Sequence, residues 1–381
     1  MGYINEKSNP FGIDDFLKEY TESDIERMRK IHTIVEELAN EINIAKDIKT
    51  FASYQKSRAL ISVGVDGGSQ EIFPFINELS SSILRINAAS KDLTEELPTF
   101  THILQYSKFS KKFYSFDKPS KNSDEINMII KEALNCEMEE IFSLDIMKKL
   151  SKLTGITKDD LGESFLGDLR AFGGVLRNIL EWAYIVDITD RFKLIKTLIL
   201  KDGRLEQHGV AESFRDKLKK YLCDNKIFIV GVLKQNAVFH EGISNLVIEK
   251  WVSSIKEPFY FKAPNKIMDF VYANKRQWDP DFDKTFVFGQ RYFGKLYGKT
   301  FHPMQGMIAF DIPFYFDQSQ KEIHEIATTL FSHKSFLYGG SISSISDAHA
   351  KASIGVNIKN AIEKKLEKQL NLKLPRMDKR I

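Results

Sequence analysis

Short apolar runs alternate with longer amphipathic stretches along the chain, and this alternation predicts an α/β protein. Residues 21–42 carry Ile25, Met28, Ile31, Val35, Leu38 and Ile42 at three- and four-residue spacing, with Thr21 placed to cap and Asp24 three residues on; the spacing predicts a packing helix. Residues 59–66 (ALISVGVD) predict a buried strand, and Asp66-Gly67-Gly68-Ser69 predicts a tight turn at its end. Residues 81–89 (SSILRINAA) supply a partner strand. From 92 to 176, polar clusters such as KPSKNSDE separate helix-like stretches; this region reads as a mostly helical insertion that interrupts the sheet, closed by a helix over about 162–184.

A second strand is predicted over 192–200 (FKLIKTLIL), running into Lys201-Asp202-Gly203. A helix over about 211–223 and a strand over 226–234 (KIFIVGVLK) follow, which is the order of a parallel crossover unit. Further strands are predicted over 284–298 and 305–316, ending at Pro313, with a helix over 319–331. The C-terminal segment predicts one helix over about 346–370, with Ile354, Ile358, Ile362, Leu366 and Leu370 as its buried stripe and Lys364, Lys365 and Lys368 on a solvated face. No internal repeat or low-complexity linker divides the chain, so 1–381 is read as a single elaborated domain.

Composition narrows the class without naming a function. With 43% hydrophobic and 28% charged residues the chain is too apolar to be disordered, and 381 residues can bury a sizeable core without staples. Two cysteines, Cys136 and Cys223, make no disulfide framework and have no zinc-ligand spacing around them. A net charge of +3, from 55 basic and 52 acidic residues, is too balanced to diagnose nucleic-acid binding, though it leaves room for a local basic groove. There is no apolar run of spanning length, and the first residues do not read as a signal peptide. A cytoplasmic globular protein is the expectation.

Two predicted strands end alike, Asp66 after LISVGV and Asp202 after LIKTLILK, each followed by Gly. Either pair alone is an ordinary turn. Delivered together at the carboxyl ends of neighbouring strands, where open α/β sheets bind ligands, the two carboxylates could share a divalent cation. Glu181 lies in an otherwise apolar helical segment; it is either a metal ligand or the ion-pair partner of Arg177 four residues before it. Lys234, at the end of GVLK, either neutralises a phosphate or is a plain strand-end lysine. His349 falls well off the apolar stripe of the last helix, as a metal ligand, a proton carrier or a solvated side chain. Gly294-Lys-Leu-Tyr-Gly298-Lys299-Thr300 is one residue short of a P-loop and is followed by Phe-His-Pro rather than a helix, so it is set aside.

Taken in order, VGVDGGS, a helical glutamate, KDGRL, GVLK and a late Ala-His at a helix start resemble the NurA nuclease family, from about residue 58 to 356. The resemblance implies an RNase H-like, Piwi-related fold: a mixed β-sheet flanked by helices. It implies an Mn²⁺-dependent deoxyribonuclease, with Mg²⁺ as the alternative ion. Such an enzyme would be a 5′–3′ exonuclease with single-strand endonuclease activity, used in DNA repair or antiviral defence. It further implies a homodimer that works on DNA with a HerA-type hexameric ATPase. Carried over, Asp66, Glu181, Asp202 and His349 would hold metal and Lys234 would offset charge on the scissile phosphate. One departure is plain: the tyrosine that often precedes the histidine by eight residues is here Ser341, with Tyr338 nearby. That departure keeps a second reading open, a catalytically weak DNA-binding or assembly module of an ATPase complex. A third is another RNase H-like enzyme, acting on RNA or with a guide.

Overall fold

A computed structural model of the chain describes residues 22–41, 48–51, 60–72, 81–105, 138–161, 169–194, 197–203, 205, 210–233, 249, 252–253, 255–264, 289–298, 305–313, 319–335 and 341–371. In chain order these form α1 (Glu22–Glu41), β1 (Lys49–Thr50), β2 (Ser62–Ile72), β3 (Ser81–Ala89), β4 (Phe100–Gln105), α2 (Asp145–Thr154), α3 (Leu169–Phe192), β5 (Leu198–Asp202), α4 (Glu212–Asp224), β6 (Phe228–Leu233), β7 (Phe259–Lys262), β8 (Gln290–Lys295), β9 (Met307–Ile312), α5 (Gln320–Ser332), α6 (Ser343–Ala352) and α7 (Val356–Leu370).

The strands make one nine-stranded mixed sheet in the order β1-β7-β8-β9-β6-β5-β2-β3-β4. Strands β2, β5 and β6 run parallel, and every other pairing is antiparallel. The segment β4-β3-β2-β5-β6, an antiparallel trio continued by two parallel strands, is the RNase H-like arrangement. The parallel register pairs Val65 with Lys201, so Asp66 and Asp202 leave their strands at the same level.

Alternation along the strands divides the core in two. Val63, Val65, Ile199 and Ile229 pack with the apolar side of α3, including Leu180, Trp182 and Tyr184. Leu198, Leu200, Val230 and Val232 pack on the other face with Ile323 and Ile326 of α5 and Ile345 of α6. The catalytic candidates therefore sit on a sheet clamped from both sides. Among the described residues, no helix is long and apolar enough to cross a membrane.

Several expectations need correction. Strand β2 does not turn at Asp66-Gly67-Gly68 but runs on to Ile72, paired with β3 throughout. Glycine is needed there for closeness, not for a turn: a Cβ on Gly64 would lie 2.3 Å from the Ser344 carbonyl carbon, and one on Gly68 2.4 Å from the Ala352 oxygen. The second Asp-Gly pair is a turn, with Gly203 at φ +83° and its N–H donating to the Val232 carbonyl at 2.8 Å. The region 92–176 is not helical at its start; β4 extends the sheet there, and among the described residues helix follows from 138 onward, including α2 and α3.

The single C-terminal helix is two. Ser353 is extended (φ −63°, ψ 132°), and Gly355, also extended, starts α7 afresh. The new start turns Ile358 outward, 44% exposed, while Ile354 is buried against Ile72 and Ile83, with Ile362 and Leu366 packed beside them. In α1, Ile25 and Met28 are 43% and 50% exposed, so these two positions do not pack as expected.

Candidate metal centre

Asp66 and Asp202 project from neighbouring parallel strands to the same face, the one covered by α6. Helix α6 lies almost on the backbone of β2, because Gly64 and Gly68 leave no side chain between them. That contact brings His349, in the last turn of α6, to Asp66: His349 Nδ1 and Asp66 Oδ2 are 2.6 Å apart. The histidine is thus neither in the first turn of a long helix nor a solvated bystander. Its ring is 58% exposed on the outer side while the Asp66 side chain is only 10% exposed. Nε2 lies 3.3 Å from the Ser353 hydroxyl, placed there by the break after α6.

One ligand atom each from Asp66, Asp202 and His349 lie within 4.8 Å of one another. Two carboxylates and an imidazole converging at this distance suit a divalent cation of the Mg²⁺/Mn²⁺/Zn²⁺ range. Asp66 is buried, Asp202 half-buried and His349 exposed, so the set opens to solvent from the His349 side.

Glu181 does not join this set. It lies on α3, against the opposite face, where a Cβ on Gly67 would fall 2.4 Å from its Oε1. Its Oε2 is 2.5 Å from Lys201 Nζ, and its Oε1 is 3.6 Å from Arg177 Nε. The Arg177 partner is visible in the sequence as an i, i+4 pair; Lys201 is not, although the residue before Asp202 on a strand must point to the opposite face. Ser353 was also missed, for it meets His349 only because the helix breaks there. Lys234 and Tyr338 lie outside the described residues. Ser341 is buried, with its hydroxyl 2.6 Å from that of Ser346.

No family model matches the chain, and no curated protein matches it. Among solved structures, the chain is similar to the NurA nuclease from Sulfolobus solfataricus, at 12% identity and a TM-score of 0.42, over 94% of this chain and 97% of that one. It is also similar to NurA bound to dAMP and manganese, at 11% identity and TM-score 0.36, over 93% and 98% of the two chains. A third likeness is to Ciona intestinalis endonuclease V in complex with an inosine-containing DNA, at 11% identity and TM-score 0.25, over 91% and 99%. NurA nuclease structures are thus structural neighbours of this chain along nearly its whole length.

Proposed function

We propose that the chain is a metal-dependent DNA nuclease of the NurA type, with Asp66, Asp202 and His349 holding a divalent cation. The observation that carries this reading is the convergence of those three side chains, within 4.8 Å, where the parallel pairing of β2 with β5 ends. The donor set fits the ion: oxygen ligands favour Mg²⁺ or Mn²⁺, and the imidazole tilts the choice to Mn²⁺. When bound, such an ion polarises a phosphoryl oxygen and makes water a stronger nucleophile.

The chain's own residues supply the rest. Asp66, 2.6 Å from His349 Nδ1, orients the ring so that Nδ1 would ligate an ion held between the two aspartates, while Nε2 faces the open side beside Ser353, where it can move a proton. Asp202 is held at the strand end by the Gly203 turn. Glu181 flanks Asp66 from the other face and is the third acidic group of the proposal. Lys234 is assigned the phosphate-neutralising role. The 5′–3′ direction, the homodimer, the HerA-type ATPase partner, the cytoplasmic location and a role in repair or phage defence belong to the same proposal, from the ordered motifs.

The test is cleavage of end-labelled linear DNA by wild type and Asp202→Ala in Mn²⁺, Mg²⁺ and EDTA. Mn²⁺-dependent loss of label that the variant lacks is the expected result; equal cleavage by both proteins would overturn the assignment. The second reading, a weak DNA-binding or assembly module, is favoured by one observation: Ser341 is buried and bonded to Ser346 where an aromatic is common. It predicts DNA binding without metal-dependent cleavage.

A further inference from the structure

Lys201 and Asp202 are consecutive, yet strand alternation sends them to opposite faces of β5. Asp202 goes to the His349 side; Lys201 goes to α3 and meets Glu181 with Nζ 2.5 Å from Oε2, the two side chains only 5% and 6% exposed. Glu181 Oε1 is pressed against Gly67, the residue after Asp66. The carboxylate is therefore one residue along the strand from each aspartate, on the flank that His349 does not reach.

A carboxylate buried to this degree needs a positive charge beside it. Lys201 supplies it as a close, buried ion pair. Arg177 is further away, at 3.6 Å, and its side chain is 38% exposed, so it is the weaker partner. A divalent ion brought to the same carboxylate would face the Lys201 ammonium with almost no water between them, and like charges in that setting exclude one another.

Resting on the metal-dependent reading above, we propose that the Lys201 ammonium fills the cation place at Glu181, so that a second divalent ion reaches Glu181 only by displacing it. Lys201 is a positioning residue: it separates a tight first ion, held by Asp66, Asp202 and His349, from a weak second one. The chain is a one-ion centre at low metal concentration and a two-ion centre at high concentration.

The test is Mn²⁺ binding to the full chain, followed by titration calorimetry and by the electron-spin-resonance signal of free Mn²⁺. Wild type is expected to take up one tight and one weak equivalent. Lys201→Met is expected to tighten the second equivalent roughly tenfold or more while leaving the first unchanged. Lys201→Arg is expected to keep the second weak, and Glu181→Gln to abolish it in both backgrounds. The double variant Lys201→Met/Glu181→Gln buries no unpaired charge, and its binding of one ion only is the expected control if Lys201→Met alone folds poorly. A second equivalent unchanged in Lys201→Met, or retained in the double variant, would overturn the proposal. Wild type that binds no Mn²⁺, or whose tight equivalent survives Asp66→Asn, would instead overturn the metal reading on which it rests.

Discussion

Replacing Gly64 by alanine tests how the fold makes the site. A Cβ at this position would sit 2.3 Å from the Ser344 carbonyl carbon, 2.4 Å from its oxygen and 2.5 Å from the Ile345 nitrogen. All three are backbone atoms of α6, so no rotamer change relieves them. Restoring ordinary contact means moving the helix off β2 by roughly 1 Å, and overpacking of this kind costs about 3 kcal/mol. At about 2.1 cal/mol/K of unfolding entropy per residue, that is about 4 °C in Tm for a chain of 381 residues. The functional cost is larger, because the same helix carries His349. A shift of that size turns its 2.6 Å contact with Asp66 into a gap that is no hydrogen bond. Mn²⁺ affinity and DNA cleavage are therefore expected to fall much further than stability, measured by calorimetry and end-labelled DNA on the folded variant. Gly64→Ala with wild-type Tm and wild-type Mn²⁺ affinity would refute the claim that glycine at this position is what lets α6 deliver the histidine.

Other consequences follow from the buried charges. Burial of Asp160 raises its pKa, but hydrogen bonds from Lys217, Ser213 and Thr157 outweigh that and lower it from 3.8 to about 2. Its stabilisation is thus complete above the unfolded value of 3.8 and is lost as pH falls through about 2; allowing for solvent around Lys217 it is on the order of 1–2 kcal/mol. The stability gap between wild type and Asp160→Asn, from urea midpoints, is expected to close across that window, and a pH-independent gap would sink the idea. Arg291 and Asp311 form a doubly bonded pair at 2.8 and 3.1 Å, both almost fully buried. Arg291→Met alone is expected to cost about 3–5 kcal/mol, and Arg291→Met with Asp311→Leu much less, since neither member of this pair is then left facing the other's empty place. Equal denaturant midpoints for the single and double variants would contradict this. Gly67→Ala is expected to drive Glu181 off Lys201, because its Cβ would lie 2.4 Å from Oε1. Loss of stability that Glu181→Ala then rescues is the expected signature, and additive losses would count against it.

Local pattern made the parallel core readable: VGVD, LILKD and the crossover helix between β5 and β6 declare themselves by apolar runs and turn signals. The same reading mistook Asp66-Gly67-Gly68 for a turn, because an Asp-Gly pair looks alike whether it bends the chain or lets two helices touch a strand. Only the helices decide, and they come from residues 169–192 and 343–352, far away in the chain. The helix break at Ser353 was hidden for a related reason. A stripe of isoleucine and leucine every four residues runs straight through it, and what breaks the helix is Ile354 reaching Ile72 and Ile83. Strands β1 and β7, of two and four residues, are too short to stand out by alternation. Of the candidate site, Asp66, Asp202 and His349 stood out in the sequence as chemistry-bearing residue types, each aspartate followed by a glycine. Lys201 was not, since a lysine beside a catalytic candidate is conspicuous only when the face it points to is known to be buried.

The most direct test of the metal centre is anomalous diffraction from crystals soaked in MnCl₂. A peak lying within about 2.0–2.6 Å of carboxylate oxygens of both Asp66 and Asp202 and of a ring nitrogen of His349, the span of such metal–ligand bonds, is the expected result. A well-ordered site with no peak there, or with manganese bound only elsewhere, would contradict it.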